Sequence, residues 1–335
     1  MSIRLATAAG LTGRSVRGLI SPEGIQPGGP TTVDTFTSSG TWTAPAGVTS
    51  VRILAVGGGG AGGCGWEGAG GGAGGFVDDT FAVTPGYTYD ITIGAGGSGT
   101  YSASGTASGG DTSVAYSGTA VVLAKGGGRG GGEPGGATQA SQRIAQTGGS
   151  GGGGCHPFDY TSASDYYNSG NDINGAPSNQ FSEAGYGHGN GGGLGRGQQN
   201  GTYGGVACND YILIGAGGGG AGVAGGNWSL TGGASGILSA GNGGNGLTSD
   251  ITGSSEYYAG GGGGGMRPVY LNLANYVAGT GGLGGGQSAT RFNGDVSGGG
   301  TANTGGGGAG VCKVSNSGNS NSAGSGGSGF VAIAY

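Results

Sequence analysis

Few side chains in this sequence are able to do chemistry, and their spacing argues against a reaction centre. There are two histidines, His156 and His188, each in a glycine-rich loop, so a Ser–His–Asp relay has little to build on. Gly148-Gly149-Ser150-Gly151-Gly152 fits the G-x-S-x-G pattern, but no strand and helix are expected around it to make a nucleophile elbow. G-x-G-x-x-G recurs wherever glycine is dense, without the strand–turn–helix unit and ribose carboxylate that give the pattern meaning. Neither lysine, Lys125 or Lys313, completes a phosphate-binding loop. Asp78 and Asp79 are adjacent, so on a strand they point to opposite faces and cannot share a glycosidic bond. Cys64, Cys155, Cys208 and Cys312 are widely spaced with no C-x-x-C pair, which is neither a zinc spacing nor a disulfide-dense scaffold. Cys155 beside His156 reads as two loop neighbours. The expectation is a protein that is not an enzyme and takes no metal or cofactor.

Residues suited to binding are better represented. Four interruptions of the glycine pattern carry them. Residues 155–181 hold Phe158, Tyr160, Tyr166 and Tyr167; residues 247–258 end in Tyr257 and Tyr258. Residues 266–277 supply Arg267, Tyr270 and Tyr276, and residues 287–296 supply Arg291 and Phe292. Tyr, Trp and Arg with Ser, Asn and Gly is the composition of paratope-like loops, in which aromatics give rigid contact area and small polar residues adapt hydrogen bonds. These eleven side chains are the candidate recognition surface. Trp66 and Trp228 sit closer to glycine runs and read as packing.

The elements that must position these loops are unusual. Glycine supplies 99 of 335 residues, gathered in eleven runs of three or more. With charged residues at 8% and a net charge of −5, the chain is not a charge-swollen disordered polymer. Nine prolines and no sustained Gly-X-Y register exclude collagen. Fifteen tyrosines and three tryptophans distinguish it from a flexible Gly/Ser linker. The acidic balance and the absence of a basic stripe argue against nucleic acid. No apolar stretch approaches the ~20 residues of a membrane span, and the opening residues do not read as a secretory signal, so synthesis in the cytoplasm is expected.

From Val33 the apolar period becomes two. VDTFTSSGTWTA carries Phe36 and Trp42 on one parity, and VTSVRILAV suits a strand buried on at least one face. FVDDTFAV and YTYDITI, joined by Thr84-Pro85-Gly86, read as a hairpin. DTSVAYSGTAVVLA gives a second pair, and FVAIAY a last strand. Strands at both ends of the chain predict a small β-sandwich completed from the C-terminus.

Between them helix is disfavoured, because each interior glycine costs about 0.8–1.0 kcal/mol relative to alanine. Apolar residues are also too sparse for an ordinary core. Polyproline-II geometry remains: three residues per turn, no internal hydrogen bonds, and backbone groups that point outward and need partners when buried. Several such helices can satisfy one another if glycine lets them approach. Pure-glycine runs such as 260–265 then read as interior helices, and mixed runs such as GAGGGAGG as helices with one face toward solvent. The expected fold class is all-β: an N-terminal sandwich completed by the C-terminal strand, plus a bundle of polyglycine-II helices with tip loops, and essentially no α-helix.

FTSSGTWTAPAGVTSVRILAVGGGGAGG at 36–63 resembles the opening of the glycine-rich domain found in phage tail fibre proteins and adhesins. VTPGYTYDITIGAGG (83–97), GGDTSV (109–114) and GGSGFVAIAY (326–335) follow in the same order. A looser similarity links the glycine runs to the adhesins that cap T-even long tail fibres. Residues 1–32, with three arginines, no acid before Glu23 and the turn-rich close SPEGIQPGGP, read as a docking arm and linker ahead of the matched span. The resemblance implies a sandwich over 33–125 completed by 326–335, and a polyglycine-II bundle with variable loops over 126–325. It implies residence in the virion and attachment to a host surface receptor, an outer-membrane protein or a glycan. Arg4, Arg14 and Arg17 in the arm are candidates for docking on other tail proteins, and a homotrimer is expected by analogy to fibres. A structural fibre connector or decoration protein is the alternative. An extracellular ligand-binding module, like the glycine-rich ectodomains of receptor kinases, would want a signal peptide and a membrane span.

Overall fold

The computed structural model describes residues 32–65, 67–100, 106–132, 144–155, 172–180, 187–198, 201–203, 206–208, 212–231, 237–268, 276–290, 297–312 and 322–335. Their regular structure is strand, with a helical conformation at Gln180 alone. The chain is all-β in these residues, as its composition requires.

Seven strands occupy the first part: β1 (Val33–Phe36), β2 (Gly40–Thr43), β3 (Ser50–Val56), β4 (Phe76–Ala82), β5 (Thr88–Thr92), β6 (Thr112–Tyr116) and β7 (Thr119–Ala124). They form two four-stranded sheets. One has the order β1, C-terminal strand (Phe330–Ala334), β3, β4; the other is β2-β5-β6-β7. All pairings within both sheets are antiparallel. The C-terminal strand is thus not an edge: it lies between β1 and β3, with Phe36 opposite Val331 and Val56 opposite Phe330.

One hydrophobic cluster draws on both sheets. Val51, Ile53, Val77, Val331 and Ile333 come from the first, and Trp42, Tyr89, Ile91, Val114 and Val122 from the second. The first sheet is also buried on its other face, where Leu54, Val56, Ala332 and Phe330 meet Ile251 and Tyr258. This second buried face explains why SVRILAV and FVAIA are almost continuously apolar, whereas β5 alternates exposed and buried.

The expected β4–β5 hairpin does not form. The Thr84-Pro85-Gly86 turn is present, with Tyr87 N donating to Thr84 O at 3.1 Å and Gly86 at φ 79°. It carries the chain from one sheet to the other, since β4 pairs with β3 and β5 with β2 and β6. Both strands have apolar residues for the shared core, Val77 on one and Ile91 on the other, and opposed sheets satisfy both. The β6–β7 hairpin does form, turning at Ser117 (φ 48°) and Gly118 (φ 78°), the two positive angles of a tight hairpin turn.

The glycine segments fill the remaining interior with backbone. Segment 68–75 shows how. Gly68, Gly71 and Gly74 donate to Val311, Gly308 and Gly305. Ala69, Gly72 and Gly75 donate to Gly131, Gly128 and Lys125, while Gly70 and Ala73 donate to Ala216 and Gly219. Its carbonyls accept from Gly57, Gly60 and Gly63, from Ser150 and Gly153, and from Gly262 and Gly265. Three neighbours accept and three donate, and each is met at every third residue, at 2.7–3.0 Å. Segment 260–265 repeats the pattern. It donates to Gly284 and Gln287, to Gly244 and Gly241, and to Gly71 and Gly68; it accepts from Gly307 and Gly310, Gly282 and Gly279, and Gly218 and Gly215.

The mixed run 68–75 was expected to show a face to solvent. It is fully buried, with Ala69 and Ala73 at 0% exposure. The methyl of Ala73 joins the apolar cluster under the first sheet, so alanine here fills the interior instead of marking a surface.

Candidate functional site

The periodic bonds fix which residues share an end of the bundle. At one end Gly57 donates to Gly75 and Gly75 to Lys125, and the three adjoin β3, β4 and β7 directly. At the other, Gly63 donates to Ala69, Gly68 to Val311, Ala69 to Gly131, Gly153 to Gly70 and Gly265 to Gly68. Cys64, Gly132, Cys155, Met266 and Cys312 are therefore gathered at the end opposite the sheets. Gly68 bridges Gly132, and Glu67 bridges Cys312. Residues 133–143, 156–171, 269–275 and 313–321, which lie outside the described residues, are each flanked by this end.

The floor of that end is apolar with buried polar groups. Ile214, Leu238, Ala240, Met266 and Cys312 cluster beneath Trp228, Leu230 and Tyr276, and Cys64, Val311 and Ala323 form a second cluster. The guanidinium of Arg196 lies over the Trp228 ring at 4.8 Å, a cation–π contact that agrees with a packing role for this tryptophan. The Cys155 thiol donates to the carbonyl oxygen of Glu67 at 3.5 Å and to its Oε1 at 3.8 Å. Burial pushes the Cys64 thiol up to about 11 and lowers the pKa of the neighbouring Arg129. Cys64, Cys155 and Cys312 are buried and form no disulfide among the described residues. Among the described residues no group of three or more His, Cys, Asp or Glu is placed to hold a metal ion.

The candidate recognition residues separate into three groups. Phe158, Tyr160, Tyr166, Tyr167, Tyr270, Arg291 and Phe292 lie outside the described residues, as do Arg4, Arg14 and Arg17 of the arm. The described residues that flank 156–171 and 269–275 lie at the far end. So do the residues that precede 291–296, because Gly263 donates to Gln287 and Ala289 to Gly279, level with Gly264. Arg267 and Tyr276 are described at this end, Arg267 buried in the Met266–Pro268 strand and Tyr276 half-buried on the cluster.

Tyr257 and Tyr258 are elsewhere. Their hairpin, Leu247–Ser249 paired with Glu256–Tyr258, packs on the first sheet. Tyr258 is 7% exposed and stacks on Phe330, with ring centroids 5.7 Å apart and planes at 10°. That makes it a packing residue; Tyr257 is exposed beside it. Alternation along a two-stranded hairpin sends one tyrosine in and the other out, which a count of aromatics does not distinguish.

A polar clamp anchors this hairpin. Arg52 donates from Nε and Nη2 to both oxygens of Asp78 at 2.7 and 2.8 Å, and from Nη1 to Asp250 at 2.7 Å. Ser249 Oγ donates to Asp78 at 2.7 Å. Hydrogen bonding to Asp78 raises the Arg52 pKa, and Arg52 in turn lowers that of Asp250. Arg52, Asp78, Asp79, Thr80 and His188 line an open cleft of about 430 Å³. Asp78 is engaged by the clamp while Asp79 faces solvent, the opposite orientation expected of adjacent strand residues.

No helix among the described residues is long and apolar enough to cross a membrane. No curated protein matches the chain. A family model described as a glycine-rich domain matches residues 31–265, well over half of the sequence and a span that runs from β1 through the first sheets into segment 260–265. The chain belongs to this glycine-rich domain family.

Proposed function

We propose that this chain is a phage tail fibre or tail tip adhesin, in which a β-sandwich and a polyglycine-II bundle hold recognition loops toward a host surface receptor. The three-residue hydrogen-bond period supports the polyglycine-II reading, because it is the repeat of that helix. The core shared by two four-stranded sheets supports the sandwich. In this reading the two units correspond to residues 33–125 with 326–335, and to residues 126–325, with segments 57–75 and 94–110 contributed to the bundle.

A single observation carries the functional reading: the root of the arm and the loop roots lie at opposite poles. Thr32 and Tyr335 bond one another at the outer end of the first sheet, where Val33 pairs Ala334 and Arg52 pairs the same residue. The chain entering from residues 1–31 does so there. The described residues that flank 156–171 and 269–275 lie at the other pole, past the bundle. A rigid body with an anchor at one pole and aromatic-rich segments at the other suits presentation, since pre-organised loops lose little entropy on docking. Arg4, Arg14 and Arg17 would seat the arm on other tail proteins, and three copies would match a trimeric fibre.

Electron cryomicroscopy of particles, with the arm and residues 156–171 separately labelled, tests this. The arm label is expected inside the tail structure and the loop label at the free end. A loop label buried between virion proteins would favour the connector or decoration role.

A further inference from the structure

The glycine lattice is incomplete along segment 241–246. Gly241 and Gly244 donate to Gly215 and Gly218, and Gly243 and Gly246 donate to Thr280 and Leu283. Gly264 and Gly261 donate to Gly241 and Gly244, while Gly226 donates to Asn242 and Val223 to Asn245. Four sides are filled, where segments 68–75 and 260–265 have six. On the open sides the amides of Asn242 and Asn245, and the carbonyl of Gly243, have no partner among the described residues.

The neighbouring segment shows what a closed rim looks like. Thr280 N donates to Asn242 Oδ1 at 2.9 Å, Leu283 N to Asn245 Oδ1 at 3.0 Å, and Gly281 N to Ser288 Oγ at 3.0 Å. The asparagines cap the adjacent segment and leave their own amides bare. Asn242 and Asn245 line a cleft of about 320 Å³, together with Val223, Ala224 and Gly226 of one neighbouring segment and Thr280 of another. No aromatic ring lines it for stacking against a sugar.

We propose that this cleft binds an extended polyproline-II segment of a partner protein, glycine where it faces the floor, whose carbonyls three residues apart accept from Asn242 N and Asn245 N. Two amides three residues apart along a segment of about 3.1 Å rise are about 9 Å apart, which is one turn of the incoming helix. The floor is backbone, so a chain with glycine at every third residue approaches as closely as the interior segments do. The occupant takes a vacant position in the lattice and adds the bonds that every filled side already has. This mode rests on the polyglycine-II reading of the bundle and not on a host receptor, so loss of adsorption through the aromatic loops leaves it standing.

The test is amide-resolved NMR of the full chain titrated with the nonapeptide (Pro-Gly-Gly)3 and with its D-proline counterpart, which disfavours the left-handed helix. The L-peptide is expected to shift the Asn242 and Asn245 amides saturably, and the D-peptide to leave them unmoved. Ala224→Arg, at an exposed wall position, should weaken binding at least tenfold with the melting temperature unchanged; Thr280→Arg does the same from the opposite wall if the first variant fails to fold. No response at these two amides, equal response to both peptides, or undiminished binding by the folded wall variants would overturn the proposal.

Discussion

The amide of Gly262 donates to the carbonyl of Gly71 at 2.9 Å, joining two segments that each have six hydrogen-bonded neighbours. A Cβ at Gly262 would meet the carbonyl of Gly308 well inside contact distance, and one at Gly71 would meet the carbonyl of Gly60. The obstacle in each case is backbone held by its own bonds, so it cannot swing aside as a side chain does.

Gly262→Val is accordingly expected to be severely destabilising. Each buried backbone group left without a partner costs about 1–3 kcal/mol, and prising segments apart orphans several. Gly40→Ala is the control, because a Cβ there meets nothing within 4 Å and no positive φ is involved. Chemical denaturation of both variants should show a large loss for the first and a change of about 0.5 kcal/mol or less for the second.

The Tyr258–Phe330 stack joins the 247–258 hairpin to the C-terminal strand. Phe330→Ala should cost about 3–5 kcal/mol in thermal or denaturant unfolding. Deleting residues 330–335 should be worse, leaving the protein insoluble or protease-sensitive, because β1 loses the strand it pairs with and β3 gains an unpaired edge. A truncated chain that stayed soluble and compact would contradict the pairing.

Much of this was legible in the sequence where side chains carry a period. Tyr89 and Ile91 alternate with Thr88, Asp90 and Thr92, and both fall in the core that such alternation predicts. Glycine runs carry no such signal. Which of them is central depends on backbone partners across the whole chain, and Ala69 and Ala73 pointed the wrong way by resembling a surface pattern. Tyr258 misleads for a related reason. Composition marks a segment as aromatic, but only its pairing with residues 247–249 decides which ring turns inward. The β4–β5 turn was read correctly at Pro85-Gly86, while its partner sheets were not, since a turn sets local geometry and leaves the choice of partner to the core.

The buried Cys64 thiol gives a pH-dependent prediction. Its folded pKa, about 11, lies above the ordinary thiol value, so the folded state keeps a proton that the unfolded state releases. Its contribution to stability is present below the ordinary thiol range and is lost as pH rises toward about 11. Cys64 should resist alkylation at pH 8 in the folded protein, and Cys64→Ser should flatten the alkaline decline in melting temperature. Rapid labelling of native protein at pH 8 would place this thiol outside the buried cluster.

The most direct test of the adhesive role is adsorption by particles whose chains carry Tyr166→Ala, Tyr167→Ala, Tyr270→Ala and Phe292→Ala, singly and together. True anchors should each cost about 2 kcal/mol or more in binding, roughly thirtyfold in affinity, while Ser and Asn neighbours cost much less. Particle assembly and the melting temperature of the purified chain should stay near parental values, which separates lost recognition from misfolding. Particles carrying all four substitutions that assembled and adsorbed like the parent would contradict the adhesin reading and favour the structural connector.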